Sequence, residues 1–252
     1  MQYDPIATVS KLSGSGVRFS EHLSLFDPYL NYFVEEMLKI GGDAVVSMDR
    51  DGNITGLYTY DTAEKVATVF TPYSEVFNYF LGYRPHDVMF SEIRTELNNE
   101  PYSIYSINIG SYEQSGKFSH EVRIADEGDI DAIEKFMKTA NPKMNMRWVR
   151  VAIESGDECF IVELGDGIAG LGWLSLVNGS GRLHSLYVYP HFRKQGMGAD
   201  LLRARLMWLK AKRAKSAFSE ISDSNTPSSA IAEREGMTKV GKIYQYFGKQ
   251  HG

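Results

Sequence analysis

Apolar and polar positions in the first half of the chain alternate between a helical and a strand period. The apolar residues of 26–40 recur at helical spacing, with Asp27 in the N-cap position and Gly41-Gly42 behind the last turn. Two strand-like runs then flank Asp49–Asn53, a sequence typical of a hairpin. The pattern predicts a loosely ordered lead-in over 1–21, helices over 26–40 and 74–82, and strands over 44–48, 54–60, 65–70, 87–93 and 104–109.

A polar stretch with glycine and serine at 110–117 interrupts this pattern, and the pattern restarts after it. We therefore expect two domains, 1–117 and 118–252. The second half predicts helices over 130–139, 147–153, 199–215 and 228–235, and strands over 121–125, 160–164, 168–177, 183–189, 216–222 and 239–247.

The two halves match each other at a constant offset of 114 positions, as between 42 and 156. Gly42, Asp43, Ile54, Gly56 and Leu57 match Gly156, Asp157, Ile168, Gly170 and Leu171. Five matches are few enough to arise by chance. Because the order helix, hairpin, strand and helix is also shared, the pattern favours an internal duplication.

Residues 183–199 predict a strand, a glycine-bearing turn and the start of a helix. Pro190 lacks an N–H group and ends the strand, and Arg193-Lys-Gln-Gly-Met-Gly198 follows it. The first N–H groups of a helix have no internal partner and carry partial positive charge. Glycine lets the backbone approach a bulky anion, and Arg193 and Lys194 add full charges. Such a turn suits a pyrophosphate group.

This turn, Arg193-x-x-Gly196-x-Gly198, resembles the acyl-CoA signature of the GCN5-related N-acetyltransferases (GNAT), Gln/Arg-x-x-Gly-x-Gly/Ala. Leu186-Tyr187-Val188 resembles the Leu-x-Val ending of the strand that precedes the signature in that family. Asn225–Met237 resembles the family's Asn-x-x-Ala-x-x-x-Tyr-Glu-Lys-x-Gly-Phe segment. Neither the P-loop motif nor the dinucleotide motif is present. The resemblance covers roughly residues 120–248.

The resemblance implies an α/β (α+β) fold with two GNAT-like mixed, mostly antiparallel sheets flanked by helices. It implies acetyl-CoA as co-substrate and direct attack of an acceptor amine on the thioester. Backbone groups of Leu186–Val188 would pair with pantetheine and stabilise the oxyanion, the turn would hold the diphosphate, and Asn225 would contact the pantetheine arm. The implied coenzyme-binding residues are Leu186, Tyr187, Val188, Arg193, Lys194, Gln195, Gly196, Met197, Gly198, Ala199 and Asn225.

An amine must lose a proton to attack, and His184 is the candidate base. A regular strand puts it on the same face as Leu186, and the serotonin-acetylating branch of the family carries His at the matching position. The alternative is a strand histidine satisfied by packing and a backbone carbonyl; Glu220 and Asp223 are weaker candidates for the base. The family's general-acid tyrosine is absent, because that position is Ala232. Tyr187, Tyr244, Tyr246 or a water molecule could replace it.

The first half lacks the arginine and the two glycines of this turn. With a gap of four residues, Glu75 takes the place of Arg193, and Asn78 and Phe80 take the places of the two glycines. A carboxylate repels a pyrophosphate, and a phenylalanine blocks its approach. We therefore expect a tandem protein with a degenerate GNAT-like first domain and a catalytic second domain.

The composition of the chain argues against several classes of binding partner. A net charge of −5 argues against nucleic-acid binding by bulk attraction, and the run Lys210–Lys215 either complements a helix C-terminus or contacts coenzyme phosphates or a partner. No apolar run is long enough to span a bilayer, and no secretory signal is visible, so we expect a cytoplasmic protein without a membrane partner. Cys159 is the only cysteine and the six histidines show no ligand spacing, so we expect no metal.

The expected function is an acetyl-CoA-dependent N-acetyltransferase acting on the amine of a small molecule or peptide. The alternative is a non-catalytic acyl-CoA-binding or sensor protein, which Ala232 favours. The sequence leaves the acceptor and the oligomeric state open.

Overall fold

The computed structural model describes residues 4–13, 23, 27–62, 65–95, 99–140, 147–165 and 167–247. The chain divides into two compact units. The first contains the chain up to Ser103 together with the residues from Gly241 onward, and the second contains Ile104–Val240.

The first unit is built on strands β1 (Thr8–Lys11), β2 (Asp43–Met48), β3 (Ile54–Asp61), β4 (Val66–Phe70) and β5 (Val88–Ser91) with helices α1 (Asp27–Ile40) and α2 (Ser74–Leu81). The predicted helices and hairpin are confirmed. Strand β1 was not predicted, because its four residues alternate too briefly to show a period.

The second unit opens with β6 (Asn99–Asn108), whose first residues belong to the first unit, and with the two-residue strand β7 (Arg123–Ile124). Helices α3 (Ile130–Ala140) and α4 (Arg147–Glu154) precede strands β8 (Glu158–Leu164), β9 (Gly167–Val177) and β10 (Ser180–Val188). Helix α5 (Met197–Ala211), strand β11 (Ser216–Ser222), helix α6 (Thr226–Arg234) and strand β12 (Thr238–Phe247) complete the chain.

Both units share one strand topology. Strands β1 to β4 pair in succession as antiparallel neighbours and β4 pairs with β5 in parallel. Strands β7 to β10 pair antiparallel in the same way, and β10 pairs with β11 in parallel. The helices α2 and α5 follow the corresponding strands β4 and β10. This agreement favours the internal duplication.

In each unit, the last strand of the paired series comes from the other half of the chain. Beside β5 lies β12, from the end of the chain, and beside β11 lies β6, which precedes the second half. The apolar residues follow their strands: Tyr105, Ile109 and Tyr112 lie in the core of the second unit, and Tyr246 lies in that of the first. The compact units therefore have other bounds than the domains 1–117 and 118–252 that we expect from the sequence. The first unit ends at Ser103 and also contains the residues from Gly241 onward.

Helix α5 ends earlier than the helix predicted over 199–215. Its last residue is Ala211, and Arg213 takes a left-handed conformation with φ of 57°. Lys210 lies in the last turn, where a cation complements the helix dipole. Lys212 places its amino group 4.9 Å from the ring centre of Trp208. Part of the basic run therefore covers an aromatic surface just behind the helix.

The strand exchange predicts how fragments behave. A fragment of residues 118–252 lacks β6 and the buried side chains of Tyr105, Ile109 and Tyr112. Losing a large buried side chain costs about 3–5 kcal/mol, and whole domains are stable by only about 5–15 kcal/mol. We expect this fragment to show no cooperative unfolding in urea, whereas a fragment of residues 99–252, which keeps β6, unfolds cooperatively. Cooperative unfolding of the shorter fragment would contradict the exchange.

Candidate active site

A β-bulge in β10 organises the candidate site. Strand β10 pairs with β9 from Ser180 to His184, which lies opposite Trp173. The register then shifts by one residue, and pairing resumes with Tyr187 opposite Leu171. Ser185 sits in the bulge with φ of 49°, in the left-handed region that serine rarely adopts. An extra residue in one strand changes which face the following side chains occupy.

The bulge separates His184 from Leu186. Leu183, Leu186 and Val188 pack into the core that α5 and α6 cover. His184 lies opposite Trp173, and Trp173 and Tyr187 belong to the core on the other face, which α3 and α4 cover. The expectation that His184 and Leu186 share a face is therefore wrong, since it assumed a regular strand.

Beyond the bulge, β10 parts from its parallel neighbour β11. Their register pairs Ser180 with Ser216 and continues to Arg182 with Phe218, and among the described residues it goes no further. The Ser219 hydroxyl still donates to the Leu183 carbonyl at 2.7 Å. Among the described residues, β11 therefore does not pair with the backbone of Leu186–Val188, where the Val188 carbonyl accepts from Arg193 and the other groups could pair with a ligand.

Arg205 of α5 lies beneath the bulge with 1% of its surface exposed. Its Nη1 donates to the Trp173 carbonyl at 2.9 Å and to the His184 carbonyl at 3.4 Å, and its Nε donates to the Leu201 carbonyl at 3.1 Å. Burial lowers the pKa of this guanidinium to about 10, so it stays charged at neutral pH. A Cβ at Gly172 would lie 3.0 Å from its Cζ, so glycine makes room for it.

The turn after β10 ends in a left-handed glycine. Gly196 has φ of 96° and is the N-cap of α5, and Lys194 also has a positive φ of 64°. Met197 and Ala199 are buried, and the Ala199 N–H donates to the Gly196 carbonyl at 2.9 Å. Residues 193–196 are exposed. The segment therefore presents two cations to solvent directly before α5.

Arg193 joins this turn to β10. Its Nε donates to the Val188 carbonyl at 3.0 Å, and its Cζ lies 5.4 Å from the ring centre of Tyr187. Gly198 serves a different purpose from Gly196. A Cβ there would lie 3.1 Å from the Ile231 side chain of α6, so glycine allows α5 and α6 to pack closely.

Two residues of the second family-like segment have structural roles. Asn225 is the N-cap of α6, and its side chain accepts from the Ser228 N–H at 3.4 Å. Ala232, in the position of the family's tyrosine, is buried in the core that α5 covers. Contact between Asn225 and a pantetheine arm stays a prediction.

His184 is enclosed by polar groups. Its Nε2 lies 3.1 Å from Ser175 Oγ and 3.7 Å from Asp157 Oδ2, and Ser175 donates its hydroxyl proton to Asp157 at 2.8 Å. Its Nδ1 lies 3.3 Å from the hydroxyl of Ser185. Burial lowers the pKa of His184, while Asp157 acts in the opposite direction. The imidazole is therefore neutral at pH 7.

The other candidates for the base and the acid lie in different surroundings. Glu220 forms an ion pair with Arg182, with Nε 3.3 Å from Oε1. Tyr246 lies in the core of the first unit and donates to the Ile93 carbonyl, and Tyr244 packs against that core. Tyr187 belongs to β10 itself. Burial raises the pKa of the Cys159 thiol, which keeps it protonated.

A buried ionic network, which was not predicted, ties the start of α5 to the residue that follows α6. Arg203 donates to Asp200 at 2.9 Å and to Glu235 at 2.8 Å. Tyr112 donates to the other oxygen of Glu235 at 3.2 Å. All four side chains are buried.

The same network holds residues 117–120 against the helix. Asp200 accepts the backbone N–H groups of Ser119 and His120 at 3.2 and 3.0 Å, and its Oδ2 lies 2.9 Å from His120 Nδ1. Arg203 donates to the Lys117 carbonyl at 3.0 Å. Ser119 Oγ would lie 3.5 Å from a Cβ at Gly196, so this segment borders the turn.

The corresponding part of the first unit has no such turn. Helix α2 begins at Ser74, only a few residues after β4 ends at Phe70, so Glu75 lies inside its first turn, whereas Arg193 precedes α5. Phe80 does not project toward a ligand. It is buried and stacks on Tyr58 with ring centres 5.1 Å apart. Glu75 and Arg193 therefore do not occupy equivalent positions in the two units.

Among the residues that the structure describes, no three His, Cys, Asp or Glu side chains are grouped to hold a metal ion. None of the described helices combines the length and apolar character that a membrane crossing requires.

The family model of the acetyltransferase (GNAT) family matches residues 128–237, from the residues before α3 to Met237. This segment contains the bulge, the turn and both helices around them. Residues 128–237 are therefore similar in sequence to the GNAT family of acetyltransferases. A comparison with curated proteins found no match.

Solved structures share the fold over most of the chain. A GCN5-related N-acetyltransferase from Sphaerobacter thermophilus is 14% identical and aligns over 85% of each chain with a TM-score of 0.61. A Drosophila protein is 13% identical, over 95% of this chain and 98% of its own, with a TM-score of 0.63. A tandem GNAT protein from the clavulanic acid biosynthesis pathway is 8% identical over the same shares, with a TM-score of 0.55. At these identities the likeness establishes the fold: both units follow the mixed α/β architecture of GNAT proteins.

The buried network predicts a large effect on stability. Replacing Glu235 with Ala leaves the Arg203 guanidinium buried without its closest carboxylate partner on α6, which should cost about 3–5 kcal/mol of unfolding free energy in urea. Glu113→Ala, an exposed control, should change it by less than about 0.5 kcal/mol. Equal effects of the two single variants would contradict this role.

Proposed function

We propose that the protein is an acetyl-CoA-dependent N-acetyltransferase whose second half is catalytic and whose first half binds no coenzyme A. The observation that carries the proposal is the cationic turn Arg193–Gly196 at the start of α5, directly behind a strand end that is open toward β11. The match of residues 128–237 to the acetyltransferase (GNAT) family model supports acetyl transfer. The fold likeness to a tandem GNAT protein supports the arrangement of two related halves.

The residues of the turn fit a diphosphate. Gly196 takes a left-handed conformation at the start of α5, whose first N–H groups would donate to a phosphate oxygen, and the side chain of Arg193 is exposed beside it. Lys194 and Gln195 add donors. The open backbone of Leu186–Val188 would pair with the pantetheine amides and hold the thioester carbonyl. Asn225, at the start of α6, would contact the pantetheine arm.

His184 would act as the base. It is neutral at pH 7 and can take a proton from the acceptor ammonium, directly or through water. The amine nitrogen then attacks the thioester carbonyl carbon, the carbon–sulfur bond breaks, and the coenzyme leaves as a thiolate that takes up a proton. Preorganised backbone donors and fixed geometry supply large terms in such acyl transfers. Tyr187 or a water molecule would protonate the thiolate.

A second candidate function is an acyl-CoA sensor that binds without catalysis. The observation in its favour is Ala232, which is buried in the core and leaves the family's general-acid position without a hydroxyl. Incubation with acetyl-CoA and a mixed panel of amines, followed by mass spectrometry, discriminates the two. Acetylated amine supports the enzyme, and tight coenzyme binding without any acetylated amine supports the sensor.

Coenzyme affinity tests the role of the turn. Arg193→Ala removes a charge-assisted contact to phosphate and should raise the dissociation constant for acetyl-CoA about tenfold by calorimetry. Arg234→Ala, which removes an exposed arginine near the end of α6, should leave it within about twofold. The assignment of the turn fails if both variants bind as the wild type does.

The pH dependence tests His184. Turnover should rise with pH as the imidazole loses its proton, and because burial lowers its pKa the rise should be centred below about pH 6.5. His184→Ala should lower kcat about a hundredfold or more and abolish that rise. His86→Ala, in the first unit, should keep both rate and profile. A wild-type profile in His184→Ala would remove this residue from the mechanism.

A further inference from the structure

We infer that Asp157 and Ser175 are positioning residues that fix the proton of His184 on Nε2, so that Nδ1, on the side of Ser185, is the nitrogen that accepts the proton of the acceptor amine. This inference deepens the proposed function and rests on it only for the identity of the reaction.

The tautomer follows from counting protons. A hydroxyl group has a single proton to donate, and a carboxylate can only accept. Ser175 gives its proton to Asp157 Oδ2 at 2.8 Å, so toward His184 its oxygen can only accept. The contact of 3.1 Å between Ser175 Oγ and His184 Nε2 is then a hydrogen bond only if Nε2 carries the proton. The lone pair consequently belongs to Nδ1.

The two residues come from elements that the fold holds firmly. Asp157 directly precedes β8, and its backbone N–H donates to the Ala152 carbonyl of α4 at 2.9 Å. Ser175 is buried in β9, where it lies opposite Arg182 of β10. Since β9 pairs with both β8 and β10, the three side chains keep their spacing without help from a ligand.

The bulge gives the lone pair its direction. It leaves Ser185 next to His184 with its hydroxyl 3.3 Å from Nδ1. When the amine gives up its proton, Nδ1 binds it. Nε2 keeps its own proton, which stays hydrogen-bonded to the Ser175 hydroxyl oxygen. The positive charge of the imidazolium then lies near the carboxylate of Asp157. After acetyl transfer the proton passes from Nδ1 to solvent or to the leaving thiolate, which restores the neutral imidazole.

Three charged groups act on His184 from the elements around it. Asp157 and Glu220 favour its protonated form, and Arg182 opposes it. Arg182 and Glu220 form an ion pair with each other. Asp157 is therefore the carboxylate whose removal should change His184 most.

Nuclear magnetic resonance of protein labelled with ¹⁵N-histidine tests the tautomer without any substrate. The signals of His184 are identified by their loss in His184→Gln. The neutral ring should show a protonated Nε2 and an unprotonated Nδ1. Ser175→Ala, which removes the bridging oxygen, should give a mixture of the two tautomers. A protonated Nδ1 in the wild type would overturn the inference.

Titration of the same signals tests Asp157. Asp157→Asn removes a neighbouring negative charge, so the pKa of His184 should fall further, and the rise of kcat with pH should move to lower pH by the same amount. The kcat on its plateau should fall about tenfold, because a weaker base takes the proton less readily. Asp131→Asn, whose side chain is exposed on α3, is the matched control and should change none of these.

The outcomes separate this inference from the proposed function. An unchanged His184 titration in Asp157→Asn, relative to Asp131→Asn, overturns the positioning role even if kcat falls, because a merely structural defect would lower kcat alone. Wild-type protein that shows the expected tautomer and titration but acetylates no amine keeps the positioning role and removes the proposed function.

Discussion

The candidate site depends on the bulge at Ser185. Holding a serine in the left-handed region costs roughly 1–2 kcal/mol, and an extra residue in a strand disturbs the ladder of hydrogen bonds around it. Arg205 offsets this cost by donating from below to the carbonyls of Trp173 and His184. A single buried cation thus allows one strand to place His184 on one face and Leu186 on the other.

The two units share one topology but differ in the connection between the last antiparallel strand of the series and the helix that follows it. In the second unit, eight residues between β10 and α5 leave room for a turn with exposed cations and a left-handed glycine. In the first unit the connection from β4 to α2 is three residues long, and Phe80 fills the core instead. Among the residues that the structure describes, the connection from β4 to α2 is too short to form a turn like that at Arg193–Gly196.

Much of the secondary structure could be predicted because it depends on local periodicity and on turn residues. The hairpin at Asp49–Asn53 and strand β11 are examples. The turn at Arg193–Gly198 was also visible, since its residue types have a direct chemical meaning. Two features could not be predicted because they bring together residues far apart in the chain: the contact of Asp157 with His184 and the pairing of Arg203 with Glu235. The bulge could not be predicted either. The alternation of β10 shows no sign of an extra residue, so Leu186 was placed on the wrong face.

The exchanged closing strands also bear on how such a chain can change over generations. A half that has lost its chemistry would ordinarily be dispensable, and deleting its gene segment would shorten the protein at little cost. Here a clean excision of the first half would take β6 with it and leave β11 without that neighbour. If the second half alone is catalytic, as proposed, the first half is still kept by architecture, because it supplies a strand that the second unit needs.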